Sequence, residues 1–265
     1  MMLSPLMMPR PYLPGAEYRD VRHIKKISEE LGLGVYRDPG SISEPPRGLI
    51  ILGEGTPDDY VLALVAWASN GKVLSRWLRP LGGPGERWTR LDAIKALRMI
   101  REARVTLPKC RGVVLIIDRD RSSLQEIGDA AASLLSGHGF KILEEQEIAG
   151  GWLRRFTCEW RPGAKLDVLV AVSGMSLPAY SKDTVEVHLL EAGKRALGQD
   201  RIEEVLRMAQ DERDERRRAD PKRAWRKLTK EEQWQVFRWL KDHPGELRRL
   251  FRQHYEALNS LHQEG

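Results

Sequence analysis

Acidic residues follow two apolar stretches of the sequence, at the points where each stretch ends. The apolar run 113–117 leads directly into Asp118, and Asp120 lies two residues further on. An earlier apolar run is followed by Glu54 and then by Asp58. Carboxylates gathered in one place repel one another unless a cation lies among them. Mg²⁺ or Mn²⁺ suits oxygen ligands, and Mg²⁺ is usually held by one or two carboxylates and a substrate phosphate. The pattern therefore predicts a divalent-metal site.

These carboxylates need strands that bring them together. Hydrophobic runs bounded by turn residues predict strands over 48–52, 72–78, 112–118, 140–148, 152–160 and 165–174, and helical periodicity predicts helices over 58–71, 90–105 and 123–139. Strands separated by helices favour a mainly parallel sheet flanked by helices, in an α/β fold. In such sheets, ligands bind beyond the carboxyl ends of the strands. If strands 48–52 and 112–118 are neighbours, Glu54 and Asp118 meet at one edge. Asp120 joins them if the strand direction continues, because alternate residues share a face.

Ordinary structural roles remain open for the same residues. An aspartate after a strand is often a turn residue, and Ser122 or Ser123 could cap the following helix, which would leave Asp118 and Asp120 as loop residues. Glu126 could be an outer metal ligand or could simply favour the helix N-terminus. Glu186 and His188, on a later helix, could face the site or lie at the surface, and the histidine could equally lie in the core.

The motifs resemble those of the Toprim family. Its members include topoisomerases, bacterial-type primases, nucleases of overcoming-lysogenization-defect proteins, and ribonucleases that mature 5S ribosomal RNA. The family pattern, a strand ending in Glu-Gly and a later strand ending in Asp-x-Asp, matches "IILGEGTPDD" and "VVLIIDRD", and the resemblance spans about 48–150. It implies that Asp118 and Asp120 bind Mg²⁺. It also implies that Glu54 is a metal ligand or general acid/base and that Asp58 assists.

The chain departs from the replication enzymes of that family. "DRDRSS" has no glycine soon after the Asp-x-Asp motif, no tyrosine nucleophile with its own DNA-gate domain is evident, and the zinc module of primases is missing. We therefore expect a Mg²⁺-dependent nuclease or related phosphodiester enzyme acting on DNA or RNA. A Toprim-like protein that binds nucleic acid or a protein complex without cutting is the alternative. A doubly wound domain that binds a small phosphorylated ligand is a third possibility.

The C-terminal region is basic, and the chain has a formal net charge of +6. Lysine and arginine neutralise phosphates, and tryptophan stacks on unpaired bases. The predicted nucleic-acid contacts are Arg119, Arg121, Arg217, Arg218, Arg223 and Arg226. A solvated helical face with internal ion pairs is the other interpretation, because acidic residues are interspersed. In that case the tryptophans of this region would pack the helices onto the sheet.

Composition and patterning divide the chain into an N-terminal extension (1–46), a Toprim-like α/β domain (47–182) and a helical basic region (183–265). No apolar run approaches the roughly 18 residues of a membrane span. The N-terminus lacks the pattern of a signal peptide, and the two cysteines match no metal-ligand spacing. These features favour a cytoplasmic protein. Charged residues are 31% of the chain, which suits a thermophilic source.

Overall fold

The structure, a computed structural model, describes residues 17–18, 29–33, 48–52, 58–70, 75–78, 80–81, 112–210, 212, 214 and 216–262. Its strands are β1 (Glu17–Tyr18), β2 (Gly48–Leu52), β3 (Ser75–Leu78), β4 (Pro80–Leu81), β5 (Gly112–Asp118), β6 (Lys141–Ile148), β7 (Leu153–Arg161) and β8 (Ala164–Ser173). Its helices are α1 (Asp58–Asn70), α2 (Leu124–Gly137), α3 (Val185–Ala196), α4 (Gln199–Met208), α5 (Pro221–Lys227), α6 (Lys230–Asp242), α7 (Pro244–Leu250) and α8 (Arg252–His262). The predicted helix 90–105 lies outside these ranges.

Six of the strands form one mixed sheet with the order β3-β2-β5-β8-β7-β6. Strands β3, β2, β5 and β8 run parallel to one another. Strands β7 and β6 continue the sheet in antiparallel pairings. β1 and β4 form a separate antiparallel pair. The fold is therefore α/β, with helices packed against the sheet.

The prediction of a mainly parallel sheet missed the antiparallel edge formed by β6, β7 and β8. Parallel neighbours need a long crossover, whereas these strands are joined by short turns that only allow hairpins. The turn between β7 and β8 contains Gly163 at φ +76, and the connection between β6 and β7 contains Gly150 at φ +64 and Gly151 at φ +86. These left-handed conformations suit glycine because it has no Cβ.

Strand β5 lies at the centre of the sheet, and all seven of its residues are buried. Val114 and Ile116 belong to a core cluster that also contains residues of α1 and the C-terminal helices. Val113, Leu115 and Ile117 face the other core cluster, which includes residues of α2 and β7. Both sides of β5 are therefore apolar and covered, which explains the unbroken apolar run before Asp118.

The C-terminal helices cover the face of the sheet that α1 also covers. α8 packs against α1 and β8, and Phe251, Leu190 and Leu64 belong to the same buried cluster. Trp225 is part of this cluster too, so the interpretation of the late tryptophans as packing residues holds for it. No helix among the described residues has the length and apolar character needed to cross a membrane.

The predicted helical region 183–265 is interrupted between α4 and α5. α4 ends at Met208, and the described residues between it and α5 are not helical. Ala219 instead forms bridges with Tyr180 and with Gln210. Asp220 then caps α5 by accepting the Arg223 N–H at 3.1 Å, and a proline occupies the first turn. This Asp-Pro sequence is a standard helix start.

Candidate functional site

The ends of three parallel strands meet at one edge of the sheet. β2 pairs with β5 so that Leu52 lies opposite Ile116, and β5 pairs with β8 so that Asp118 lies opposite Ser173. The neighbour relationship required to bring the two acidic motifs to one edge is therefore present. Glu54 lies outside the described residues, and Asp58 is described only as the first residue of α1. Their convergence with Asp118 stays a prediction.

Asp118 is a buried carboxylate, only 2% exposed. Its Oδ1 accepts the Val185 N–H at 3.0 Å, and its Oδ2 lies 2.7 Å from Lys222 Nζ. Val185 is the first residue of α3, whose N-cap residue Thr184 makes no side-chain cap. Asp118 thus satisfies a helix N-terminus from another element, a position that favours negative charge. It is not an ordinary loop residue.

Asp120 lies beyond the end of the strand. Its φ of +56 turns the backbone out of the extended conformation, so strand alternation does not carry it to the face of Asp118. Its N–H donates to the Asp183 carbonyl at 2.7 Å, and the Asp183 N–H donates back to the Asp120 carbonyl at 2.9 Å. The Asp120 backbone therefore joins the segment after β5 to the segment after β8. Its role as a metal ligand stays a prediction.

The segment after β8 folds back so that Gly174 lies against Asp183. Gly174 has φ +130, and a Cβ there would lie 2.5 Å from the Asp183 Cβ. Only glycine suits that combination of backbone conformation and contact.

Arg119 connects three segments around this edge. Its guanidinium donates to the Ser122 carbonyl at 2.8 Å, to Asp183 Oδ2 at 2.8 Å and to the Ser176 hydroxyl. It also lies over the Trp152 ring, 5.4 Å from the centroid. Burial raises the pKa of the Asp183 carboxyl, although Arg119 opposes that shift. The predicted phosphate contact from Arg119 would have to compete with these protein partners.

Two more of the predicted arginines lie near the same edge. Arg218 donates to Asp214 at 2.8 Å. Burial raises the pKa of Asp214, but the Arg216 N–H and the Arg218 and Arg121 charges outweigh it and hold that pKa below its usual value. Arg218 also acts on Asp183. The structure thus brings Arg119, Arg121 and Arg218 close to shared carboxylates.

The other predicted arginines lie on or next to α5. Arg217, Arg223 and Arg226 are all exposed. The guanidinium of Arg223 reaches the Gln210 carbonyl at 3.5 Å.

The residues shortly after Asp120 cap the N-terminus of α2. The Ser123 hydroxyl accepts the Glu126 N–H at 3.1 Å, and the Glu126 carboxylate accepts the Ser123 N–H at 2.7 Å. These reciprocal bonds form a capping box. The Ser123 N–H, followed by its hydroxyl, lowers the pKa of Glu126. For Glu126, the helix-terminus interpretation is thus confirmed.

A buried polar cluster lies behind the strand ends. Ser173 Oγ is 2.9 Å from His254 Nε2, and His188 Nε2 accepts the Gly174 N–H at 2.8 Å. Gln253 donates to the Val172 carbonyl at 3.0 Å. Burial lowers the pKa of His188 to about 4 and holds that of His254 well below its usual value. Burial therefore disfavours the protonated form of both imidazoles, and the Ser–His pair is buried too deeply to meet a substrate.

His188 is a core residue, and Glu186 is also buried in the first turn of α3. The surface interpretation of both side chains is therefore wrong. The signal for His188 in the sequence was its place within the apolar residues of "VEVHLL".

The side chains that the structure describes at this edge do not by themselves fit a metal site. Within the described ranges, no group of three or more His, Cys, Asp or Glu residues could hold a metal ion. Both oxygens of Asp118 already have partners.

The sequence motifs do not indicate that Lys222 is the ion-pair partner of Asp118. The only local indication is indirect, since Lys222 lies in the first turn of a helix that begins at Asp-Pro.

No protein-family model, curated protein or solved structure matches this chain. The resemblance to Toprim proteins is carried by the two sequence motifs alone and stays a prediction.

Proposed function

We propose that the protein is a Toprim-like phosphodiester-processing protein that acts on DNA or RNA, with Mg²⁺ as cofactor. The observation that carries the proposal is the parallel pairing of β2 with β5. Each of these strands directly precedes one acidic motif, and the carboxyl ends of neighbouring parallel strands form the usual ligand site of such sheets.

The charges at this edge also support a phosphate ligand. Arg121, Arg218 and Lys222 lie around carboxylates there. Cations held at a sheet edge attract the phosphate backbone without regard to sequence.

A second candidate function is nucleic-acid binding without cleavage. It is favoured by the engagement of both Asp118 oxygens, because a carboxylate that caps α3 and pairs with a lysine has a complete structural role.

A cleavage assay separates the two functions. Labelled single- and double-stranded DNA and RNA are incubated with Mg²⁺ or Mn²⁺ and wild-type protein, Asp118→Asn or Asp200→Asn. The asparagine at 118 keeps an acceptor for the Val185 N–H, and Asp200 is an exposed residue on α4. We expect wild type and Asp200→Asn to cut at least one substrate and Asp118→Asn to lose about 100-fold or more.

Absence of cleavage on every substrate would contradict the enzymatic proposal. Binding that is retained, salt-dependent and unaffected by Asp118→Asn would then support the second function.

A further inference from the structure

The basic C-terminal region contains cations of two kinds. One kind is neutralised by a nearby carboxylate, as Arg249 is by Glu246 at 2.6 Å and Arg252 is by Glu256 at 2.6 Å. Such pairs give a solvated helical face with little net charge, which is one of the two interpretations of this region. The other kind of cation is concentrated around α5.

The cations around α5 outnumber the acids beside them. Residues 216–230 contain eight basic residues and one acidic residue, Asp220, which itself pairs with Lys182. Arg218 and Lys222 are also paired with carboxylates. Among the described residues, the other six make no ion pair with a carboxylate, and all six are exposed. We call these six the α5 basic surface: Arg216, Arg217, Arg223, Arg226, Lys227 and Lys230.

Helix α5 turns its apolar side to the core and its basic side to solvent. Ala224 and Trp225 are buried. Arg223 lies three residues before Arg226 and four before Lys227, so the three side chains share one side of the helix. The burial of the apolar side therefore fixes the direction in which these cations project.

The turn before α5 holds two more of these arginines. Asp214 is buried, and its carboxylate accepts the Arg216 N–H at 2.9 Å. The Arg217 N–H donates to the Asp214 carbonyl at 2.7 Å, and Arg217 has a left-handed φ of +48. The backbone of both arginines is thus fixed while their side chains stay exposed. A surface that is ordered before binding loses less entropy when a ligand arrives.

Phosphate groups are the partner that this composition fits. Four of the six side chains are arginines, whose planar guanidinium can donate two parallel hydrogen bonds to a phosphate. A membrane surface fits less well, because interfacial helices insert apolar side chains and those of α5 are buried in the core. Lys222, on the same helix, lies 2.7 Å from Asp118, so the α5 basic surface borders the strand ends.

The tryptophans of this region favour a duplex over a single strand. Proteins that bind single strands stack unpaired bases on aromatic rings. Trp225 is 6% exposed and packs edge-on against Phe237. Trp234 also packs edge-on against Phe237, and Trp239 stacks on His243 at 4.5 Å. Because these three rings already contact other rings, the surface presents its charges to phosphates rather than an aromatic platform to bases.

We propose that the α5 basic surface binds double-stranded nucleic acid through its phosphates alone. This inference rests on the proposed function and narrows its substrate to a duplex. The affinity should then depend on salt and be nearly independent of base sequence, because contacts to phosphates carry no direct sequence information.

Binding in EDTA tests this surface without any need for catalysis. Fluorescence anisotropy measures the Kd for a labelled DNA duplex, a labelled RNA duplex and their separate strands at several salt concentrations. Wild type is compared with the double variant Arg223→Gln/Arg226→Gln. The matched control is Arg249→Gln/Arg252→Gln, which removes the same charge from exposed arginines that are ion-paired. Circular dichroism verifies folding, and Arg226→Gln alone replaces the first double variant if that one fails to fold.

We expect wild type to bind at least one of the duplexes about tenfold more tightly than its separate strands. Arg223→Gln/Arg226→Gln should weaken duplex binding about tenfold near 0.1 M salt, and the slope of log K against log salt should become shallower by about 2. The control variant should change the Kd by less than about threefold. Duplexes of unrelated sequence should bind equally well.

Duplex binding that is unchanged in Arg223→Gln/Arg226→Gln, or weakened equally in both double variants, would overturn the inference. Single strands that bind as tightly as both duplexes would overturn it too, as would the absence of any binding by wild type.

These results are separate from those of the cleavage assay. A protein that cuts nucleic acid but binds it equally well after Arg223→Gln/Arg226→Gln retains the proposed function and loses this surface. A protein that binds a duplex through the surface but cuts nothing retains the surface and loses the enzymatic function.

Discussion

The two halves of the sheet bury charge in different ways. In the parallel half, Asp118 is buried at a strand end, where Val185 and Lys222 contact it. In the antiparallel half, Arg154 is buried on β7 and is 6% exposed. It donates to Glu145 on the neighbouring strand at 2.5 Å and to Gln125 on α2 at 2.8 Å.

The difference lies in where the partners come from. The acidic partners of Arg154 are Glu145 and Glu147 of the adjacent strand, and they are 38% and 55% exposed. If Arg154 is lost, water solvates these exposed carboxylates at little cost. The main contribution of Arg154 is therefore the packing of its side chain. The partners of Asp118 come from distant segments, with 67 residues separating it from Val185. Parallel strands gather such segments at one edge of the sheet.

The largest expected effect comes from Asp118→Ala. The substitution removes the partner of Lys222 and the acceptor of the Val185 N–H, and breaking one side of a buried pair is strongly destabilising. We expect the free energy of unfolding in urea to fall by about 3 kcal/mol. Asp167→Ala is the control from the antiparallel half, since Asp167 pairs with Arg155 near the surface. An equal loss in both variants would remove the contrast between the two halves.

A smaller effect is expected from the pH dependence of the cluster behind Asp118. His188 has a pKa of about 4 when folded, against 6.5 ordinarily, because it is buried. Below pH 6.5 the unfolded chain binds a proton at His188 that the folded chain does not bind until about pH 4. The free energy of unfolding, which is highest above pH 6.5, therefore decreases as the pH falls to about 4. We expect His188 alone to lower the free energy of unfolding by roughly 2 kcal/mol between pH 7 and pH 4.5.

His188→Gln isolates that contribution. Glutamine keeps an acceptor for the Gly174 N–H but does not titrate. Urea unfolding across this pH range should therefore show a shallower decline in the variant, while His254 continues to contribute in the same direction. Identical pH profiles would mean that folding does not lower the pKa of His188.

Local signals predicted much of the fold, and distant contacts limited the rest. The apolar run before Asp118 predicted β5, and Ser122 or Ser123 was the expected cap of the helix that follows, because both features depend on neighbouring residues. The contact of Ser173 with His254 spans 81 residues and follows only from the topology.

The same limit explains what was missed at the site. The sequence predicts a functional role for Asp118 at the strand end, but nothing in the motif indicates that a lysine from a later helix neutralises this carboxylate. The hairpin edge, in contrast, was within reach of the sequence, since no helix-length segment separates its strands.

The smallest expected effect concerns Arg154 and Gly128. A Cβ at Gly128 would lie 2.4 Å from the guanidinium carbon, so glycine on α2 makes room for the buried cation. Arg154→Met keeps the aliphatic stem and releases exposed glutamates, and should cost about 1 kcal/mol of unfolding free energy. Gly128→Ala should destabilise wild type by crowding, yet stabilise Arg154→Met by up to about 1 kcal/mol through helix propensity. A double-mutant cycle in urea measures this reversal of sign. If Gly128→Ala has the same effect in wild type and in Arg154→Met, the Arg154 guanidinium does not occupy the space beside residue 128. The contrast between the buried arginine and the buried Asp118 would then lose its structural basis.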